Sequence, residues 1–124
     1  MHDTDAAGRI YFANLLRIAH EAFEAFMHSI KWDIGMLLKE GDFLFPVVHV
    51  EADYTEPLSV GDELTVEVTV GRIGETSCTL LYRFIKKGKH AAGSAQIIHV
   101  TVNKQTNKPC PIPDQLRRDL EKQL

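Results

Sequence analysis

The sequence "YFANLLRIAHEAFEAFMHSI", residues 11–30, decides the fold of this chain. Apolar side chains recur in it at steps of three and four residues, and charged side chains recur at the same steps on another face. This spacing predicts an amphipathic α-helix that starts near Tyr11. The apolar stripe is wide, so we expect the helix to pack against a flat partner such as a β-sheet. The stripe consists of Leu15, Leu16, Ala19, Ala22, Phe23, Phe26 and Ile30.

Beyond Pro46 the spacing of the apolar residues changes from helical to alternating. Four runs alternate apolar with polar side chains, and each predicts a strand with one buried face. In the first run Val48 and Val50 fall on that face. The turns between runs are short, which favours antiparallel neighbours. The runs cover residues 48–55, 63–70, 77–84 and about 91–103.

Two shorter helices complete the predicted pattern. One is expected over residues 33–39. A final helix follows Asp114, whose side chain can cap it, and its apolar stripe is Leu116, Leu120 and Leu124. The predicted class is therefore α+β, with one long helix covering one face of an antiparallel sheet. Apolar groups on the other face of the sheet suggest oligomerisation.

Length and composition exclude several classes of protein. The 124 residues fit one domain, residues 1–124. The 14 basic and 17 acidic residues leave a formal net charge of -3, which gives no electrostatic case for nucleic acid or an anionic membrane. Neither a signal peptide nor a bilayer-spanning stretch is evident, and Cys78 and Cys110 form no paired framework. We therefore expect a cytoplasmic protein.

The segment "DTDAAG", residues 3–8, places two carboxylates before the helical pattern. A metal-binding D-x-D pair normally follows an apolar strand, and here only Met1 and His2 precede it. Acidic residues near a helix N-terminus also complement the helix dipole. A carboxylate beside free N–H groups can equally serve in catalysis while those groups hold an oxyanion. The residues alone support capping and catalysis equally.

Several nearby residues have both a structural and a functional interpretation. Gly8 permits positive φ or the close approach of a ligand. Tyr11 could pack or form a pocket wall, and Asn14 could serve a pocket or face solvent. The sequence "HEAFE", residues 20–24, lacks the second histidine of an H-E-x-x-H zinc site. We therefore predict no metal site there.

Two histidines fall on predicted strands. Both His49 and His99 are better explained as hydrogen-bonded sheet residues than as catalytic bases. His49 is the stronger functional candidate of the two, because Asp53 falls on the same face of its strand.

Three segments together resemble a known family, the hotdog-fold acyl-CoA thioesterases of the 4-hydroxybenzoyl-CoA thioesterase type. Its opening motif is similar to residues 3–23, "DTDAAGRIYFANLLRIAHEAF". Its second and closing segments are similar to residues 52–68, "ADYTEPLSVGDELTVEV", and residues 103–113, "NKQTNKPCPIP". Among subfamilies, residues 11–26 together with "PVVHVEADY", residues 46–54, most resemble 1,4-dihydroxy-2-naphthoyl-CoA hydrolases of quinone biosynthesis.

The resemblance implies a hotdog fold, in which an antiparallel sheet wraps around the long helix. It also implies a homodimer or homotetramer with active sites at a dimer interface. Asp5 is implied as the catalytic carboxylate, either nucleophile or general base, and the backbone N–H of Phe12 as the oxyanion donor. No metal or organic cofactor is expected. The residues expected to contribute to substrate binding are Gly8, Tyr11, Asn14 and His49.

The implied activity is hydrolysis of an acyl-CoA thioester, with an aromatic acyl group expected, to free acid and CoA. A hotdog domain could instead bind acyl-CoA without turnover, or act on short- or medium-chain acyl groups. The family normally has a strand before the motif. Because only Met1 and His2 stand there, we expect that strand to be missing or truncated within residues 1–124.

Overall fold

The computed structural model describes residues 2–32, 42–54, 64–86 and 91–124, and for residues 2–13 and 54 it describes the backbone alone. Within these residues no helix is long and apolar enough to cross a membrane. The helix expected over residues 33–39 lies outside them. The elements in chain order are α1 (His2–Ser29), β1 (Phe43–Leu44), β2 (Val47–Tyr54), β3 (Leu64–Ile73), β4 (Ser77–Lys86), β5 (Ala91–Val100), β6 (Val102–Asn103) and α2 (Asp114–Glu121).

Four long strands form one antiparallel sheet in the order β2-β5-β4-β3, and β1 pairs with β6 in a second, two-stranded sheet. The prediction of an α+β protein with four main antiparallel strands is confirmed. The fourth predicted run divides at Thr101, where the backbone N–H donates to the Thr76 carbonyl at 2.8 Å. The Thr101 hydroxyl donates to the carbonyls of Thr76 and Cys110. These bonds hold the chain as it passes into β6.

Alternation along β4 follows the predicted pattern, because Leu80 and Tyr82 are buried while Leu81 between them is exposed. In β2, Val47 pairs with His99 and the next pair joins His49 to Ile98. Val48 is therefore the extra residue of a β-bulge and is 57% exposed. The prediction that Val48 lies on the buried face was wrong, because the bulge shifts the alternation by one residue.

The apolar stripe of α1 packs on the inner face of the four-stranded sheet. Leu15, Ala19, Phe23 and Phe26 are buried in one cluster with sheet residues such as Leu80. Burial of one large apolar side chain stabilises the fold by about 1.5–3 kcal/mol, so this stripe accounts for much of the attachment of the helix. The predicted helix-on-sheet arrangement is confirmed.

α1 begins at His2, so the prediction of a helix start near Tyr11 was wrong. The segment that precedes Tyr11 has no apolar periodicity, and periodicity was the basis of the prediction. Its composition nevertheless favours a helix, because Ala6 and Ala7 have the highest helix propensity and Asp3 lies near the positive end of the dipole. Gly8, the weakest helix former in the segment, lies inside the helix.

α2 follows Pro113, which is its N-cap and provides no side-chain hydrogen bond. The prediction that Asp114 caps the helix was wrong. Asp114 is the first helical residue, where its charge still complements the dipole. Leu116 and Leu120 are fully buried as predicted, whereas Leu124 lies beyond the helix and is 69% exposed.

Trp32 connects the end of α1 to α2. Its indole N–H donates to Oδ2 of Asp119 at 2.7 Å, and its ring centroid lies 6.1 Å from that of Phe43. This hydrogen bond, with a second from the Gln115 amide, lowers the pKa of the Asp119 carboxyl. The contact spans 87 positions of sequence and closes the C-terminal end of the chain onto its first helix.

Candidate active site

A cleft of about 260 Å³ lies between α1 and the β2 side of the sheet. α1 forms one wall, β2 another, and the inner faces of β4 and β5 form the floor. The lining is mostly apolar with a few polar groups, a combination typical of sites for small organic molecules. The lining residues are Leu16, Ala19, His20, Phe23, Val47, Val50, Tyr82, Ile97 and His99.

His99 on β5 is a buried polar residue of this cleft, with 3% of its surface exposed. Its Nδ1 lies 2.8 Å from the carbonyl oxygen of Phe45. The imidazole stacks on the rings of Phe23 and Phe45 at centroid distances of 4.3 and 4.8 Å. Burial lowers the pKa of His99, so the ring is neutral at neutral pH. Because a carbonyl only accepts, Nδ1 carries the proton and Nε2 is an acceptor.

Tyr82 on β4 is the second buried polar residue of the cleft, with 1% of its surface exposed. Burial raises the pKa of its hydroxyl, which therefore stays protonated. Neither the Tyr82 hydroxyl nor Nε2 of His99 has a hydrogen-bond partner within the described part of the chain. An unpartnered buried polar atom is uncommon in native proteins. Both residues line the cleft, so the two atoms have hydrogen-bonding capacity that the described residues do not use.

Cys78 lies on the same face of β4 and is fully buried. Burial raises the pKa of its thiol to about 12. Because the thiolate is the nucleophilic form of cysteine, Cys78 is not poised for nucleophilic chemistry.

His20 marks the mouth of the cleft on α1. Its Nε2 lies 3.0 Å from Oε1 of Glu24, and both side chains are largely exposed. A positive charge on His20 further disfavours protonation of His99. His20 therefore contributes to the electrostatics of the cleft as well as to its shape.

The motif residues singled out by the sequence lie on the N-terminal half of α1. For Asp5, Gly8, Tyr11 and Phe12 the structure describes the helical backbone, and their side chains lie outside the described part. Phe12 precedes the cleft residue Leu16 by four positions, about 6 Å along the helix axis. The cleft therefore opens about one helical turn from the predicted oxyanion donor.

The other two predicted binding residues lie outside the cleft of this chain. Asn14 is half-buried on α1 but is not a lining residue. His49 is exposed on β2, where its Nε2 lies 2.8 Å from Oε1 of Glu51 rather than beside Asp53. Their roles in substrate binding stay predictions.

Sequence reasoning missed Tyr82 and His99 as functional candidates. Both occupy inward positions of strands, where alternation indicates core, and the sequence favours His49 over His99 as a functional candidate. The available signal was a polar side chain at each of two buried positions on strands that pair directly with each other. Among the described residues, no group of three or more His, Cys, Asp and Glu could hold a metal ion.

With a long helix on an antiparallel sheet and an apolar cleft between them, the chain belongs to the thioesterase-like superfamily, whose family model matches residues 1–120. It is similar to the 1,4-dihydroxy-2-naphthoyl-CoA hydrolase of Synechococcus elongatus, at 35% identity over 116 residues, or 93% of this chain and 85% of that protein.

Solved structures agree with this assignment. The crystal structure of a 1,4-dihydroxy-2-naphthoyl-CoA thioesterase from Synechocystis matches with a TM-score of 0.80 and 26% identity, over 89% of this chain and 81% of that one. A thioesterase from Thermus thermophilus in complex with coenzyme A and zinc matches with a TM-score of 0.71 and 25% identity, over 89% and 77%. The hotdog fold expected from the sequence is confirmed.

Proposed function

We propose that this chain hydrolyses the thioester bond of an aromatic acyl-CoA, with 1,4-dihydroxy-2-naphthoyl-CoA as the first substrate to test. The observation that supports this most directly is the apolar cleft beside α1. An apolar cavity of about 150 Å³ takes up benzene, so a cleft of about 260 Å³ has room for a larger aromatic group. The relatives from Synechococcus elongatus and Synechocystis are named for this thioester.

In the proposed reaction Asp5 supplies the carboxylate. It either attacks the thioester carbonyl directly or removes a proton from the attacking water. When water attacks, its oxygen bonds to the carbonyl carbon, the carbon–sulfur bond breaks, and the CoA thiolate leaves and takes up the proton that Asp5 removed. When Asp5 attacks, the same carbon–sulfur bond breaks and an anhydride forms on Asp5, which a water molecule then hydrolyses to the free acid and the regenerated carboxylate. The backbone N–H of Phe12 would hold the carbonyl oxygen as it gains negative charge, an interaction worth about 2.7–4 kcal/mol in comparable sites.

This role for Phe12 places a requirement on α1. In a continuous α-helix the N–H of residue 12 donates to the carbonyl of residue 8 and is not available to a substrate. We therefore propose that α1 opens at Gly8 in the catalytically competent state. Glycine is the residue at which such an opening costs least, because it destabilises the helix by about 0.5–1 kcal/mol relative to alanine.

The remaining predicted substrate contacts fit a site that two copies of the chain share. β2 is an edge strand of the described sheet, and Val47 and Val48 are half-exposed along it. We propose that two copies pair at this edge in a homodimer or homotetramer. His49 on β2 would then lie near the second subunit, and Gly8, Tyr11 and Asn14 would line the approach from α1.

We also propose that the reaction takes place in the cytoplasm, without nucleic acid or membrane as partner. The near-balanced charge and the two free cysteines support this.

The test of the chemistry is Asp5→Asn. It should lower kcat for 1,4-dihydroxy-2-naphthoyl-CoA by about 100-fold or more, because the amide is neither nucleophile nor base. Thiol release measures kcat, and circular dichroism checks the fold. Asp3→Asn, the matched change in the same motif, should retain activity. Wild-type activity of Asp5→Asn would refute the role of Asp5.

A turnover count tests hydrolysis against binding alone. Free thiol should accumulate well beyond one equivalent per site, whereas a binding module would release none. Fatty acyl-CoA thioesters in the same assay test the preference for aromatic groups, and a higher kcat/KM on these would contradict the aromatic assignment.

A further inference from the structure

The two unpartnered polar atoms of the cleft have opposite hydrogen-bonding character. Nε2 of His99 is an acceptor, because Nδ1 donates its proton to the Phe45 carbonyl. The Tyr82 hydroxyl is a donor that also accepts. A hydroxyl group on a ligand both donates and accepts, so it can satisfy either atom. An apolar ring without hydroxyls satisfies neither.

We infer that Tyr82 and His99 are specificity-determining residues that recognise hydroxyl groups on the acyl ring of the thioester. The inference rests on the proposed function, since it assumes that the acyl group occupies this cleft. On this inference, the Tyr82 hydroxyl and Nε2 of His99 make the enzyme prefer a hydroxylated aromatic acyl group over an unsubstituted one.

The His99 ring is held in one orientation before any ligand arrives. The rings of Phe23 and Phe45 both pack against the imidazole, and the bond to the Phe45 carbonyl fixes one edge. A preoriented acceptor binds a ligand hydroxyl without losing side-chain freedom on binding. This supports recognition by His99 rather than packing alone.

The register of the sheet separates the two polar residues along the floor of the cleft. Tyr82 pairs with Ala95, whereas His99 pairs with Cys78, four positions further along β5. Ile97 lies between them on the same floor and pairs with Leu80. The floor is therefore apolar at its centre and polar towards both ends, so an aromatic ring can lie on Ile97 with a hydroxyl directed towards either end.

Neither polar atom is exposed to solvent. A ligand hydroxyl therefore reaches them only if side chains along the cleft adjust, and Val47 and His20 are the lining residues that are exposed in the single chain. Once there, the hydroxyl meets no competing water, and a site built to bond a hydroxyl discriminates strongly against analogues that lack it.

The experiment compares 1,4-dihydroxy-2-naphthoyl-CoA with 2-naphthoyl-CoA, which lacks both hydroxyls. The variants are Tyr82→Phe, which removes one oxygen, and His99→Asn, which keeps an N–H for the Phe45 carbonyl and removes Nε2. The wild type should prefer the hydroxylated thioester in kcat/KM. Each variant should reduce that preference by about tenfold, the equivalent of one hydrogen bond. His28→Asn, an exposed histidine on α1, is the matched control and should not change it.

The outcomes separate this inference from the proposed function. A wild type that hydrolyses both thioesters equally would overturn the inference and leave the thioesterase function intact. Equal losses on both thioesters in both variants would show a structural role and also overturn it. If the wild type hydrolyses neither, calorimetry with the free acids 1,4-dihydroxy-2-naphthoic and 2-naphthoic acid decides. The inference is supported if the hydroxylated acid has the lower Kd in the wild type and this difference disappears in Tyr82→Phe. Equal Kd values for the two acids in the wild type refute it.

Discussion

The imidazole of His99 couples the stability of the fold to pH. Burial lowers the pKa of His99 in the folded chain, whereas in the unfolded chain the group titrates near its ordinary value of about 6.5. The unfolded chain therefore binds a proton that the folded chain excludes. We expect the free energy of unfolding to fall as pH drops through about 6.5, as measured by urea unfolding at about pH 7.5 and 5.5.

The control for this pH dependence is a variant without the titrating ring. His99→Asn should flatten the dependence between the two pH values, and His28→Asn should leave it as in the wild type, because His28 is exposed. A slope unchanged in His99→Asn would assign the dependence to another group.

At the level of single residues, the sequence draws attention to one set of candidate residues and not to another. Asp5 and Phe12 stand out because their motif is contiguous and resembles that of a family. Tyr82 and His99 do not stand out, because each lies in a run whose alternation is that of ordinary core. They become candidates only because one polar atom of each lacks a hydrogen-bond partner. Which atoms lack one depends on the Phe45 carbonyl and on the packing of α1, both distant in sequence.

At the level of elements, local sequence patterns predicted well whether a segment is a helix or a strand, but predicted poorly where each element begins and ends. β3 and β4 follow simple alternation, because their register is regular over most of their length. The bulge at Val48 arises from how β2 pairs with β5, some fifty positions later, and no local pattern encodes it. The early start of α1 follows from helix propensity and charge rather than periodicity.

The continuity of α1 across Gly8 provides a test at this level. Gly8→Ala should stabilise the continuous helix by about 0.5–1 kcal/mol. If catalysis requires the helix to open there, kcat should fall by about two- to fivefold while the melting temperature rises or stays constant. Thiol release and thermal unfolding measure the two quantities.

The neighbouring position supplies the matched change. Ala7→Gly places a second weak helix former beside Gly8. Because this change does not make the helix more stable, we expect it not to lower kcat in the way that Gly8→Ala does. An increase in kcat in Gly8→Ala would show that the continuous helix is the active form and would exclude Phe12 as a backbone donor.

At the scale of the whole molecule, the described residues form one core cluster that joins α1, the sheet and α2. α1 covers one face, and on the other Leu81 is 38% exposed. The described sheet ends in β2 on one side and β3 on the other, and the N–H of Val70 on β3 donates to the carbonyl of Gln123 near α2. Such edges favour pairing with another chain. The general architecture was predictable, because each predicted element leaves one apolar face to cover.

Self-association at β2 can be tested by adding one positive charge to that strand. Val48→Lys places a cation at the bulge, where lysine opposes edge-to-edge pairing. We expect light scattering to show a dimer or tetramer for the wild type and a smaller species for the variant, with reduced thiol release because the site is shared. Glu121→Lys, which adds a lysine at an exposed position of α2, should leave the mass unaltered. An unchanged mass for Val48→Lys would place the contact elsewhere.

The Trp32–Asp119 contact gives the protein an optical reporter of its own. Trp32 is the single tryptophan of the chain, and its indole is engaged where the first and last helices meet. Emission excited at the indole band therefore follows the packing of α2 and of Phe43 around the end of α1. Far-ultraviolet dichroism follows the formation of the sheet and helices. In a refolding experiment the two signals together give the order in which the C-terminal helix and the sheet assemble, without an added dye.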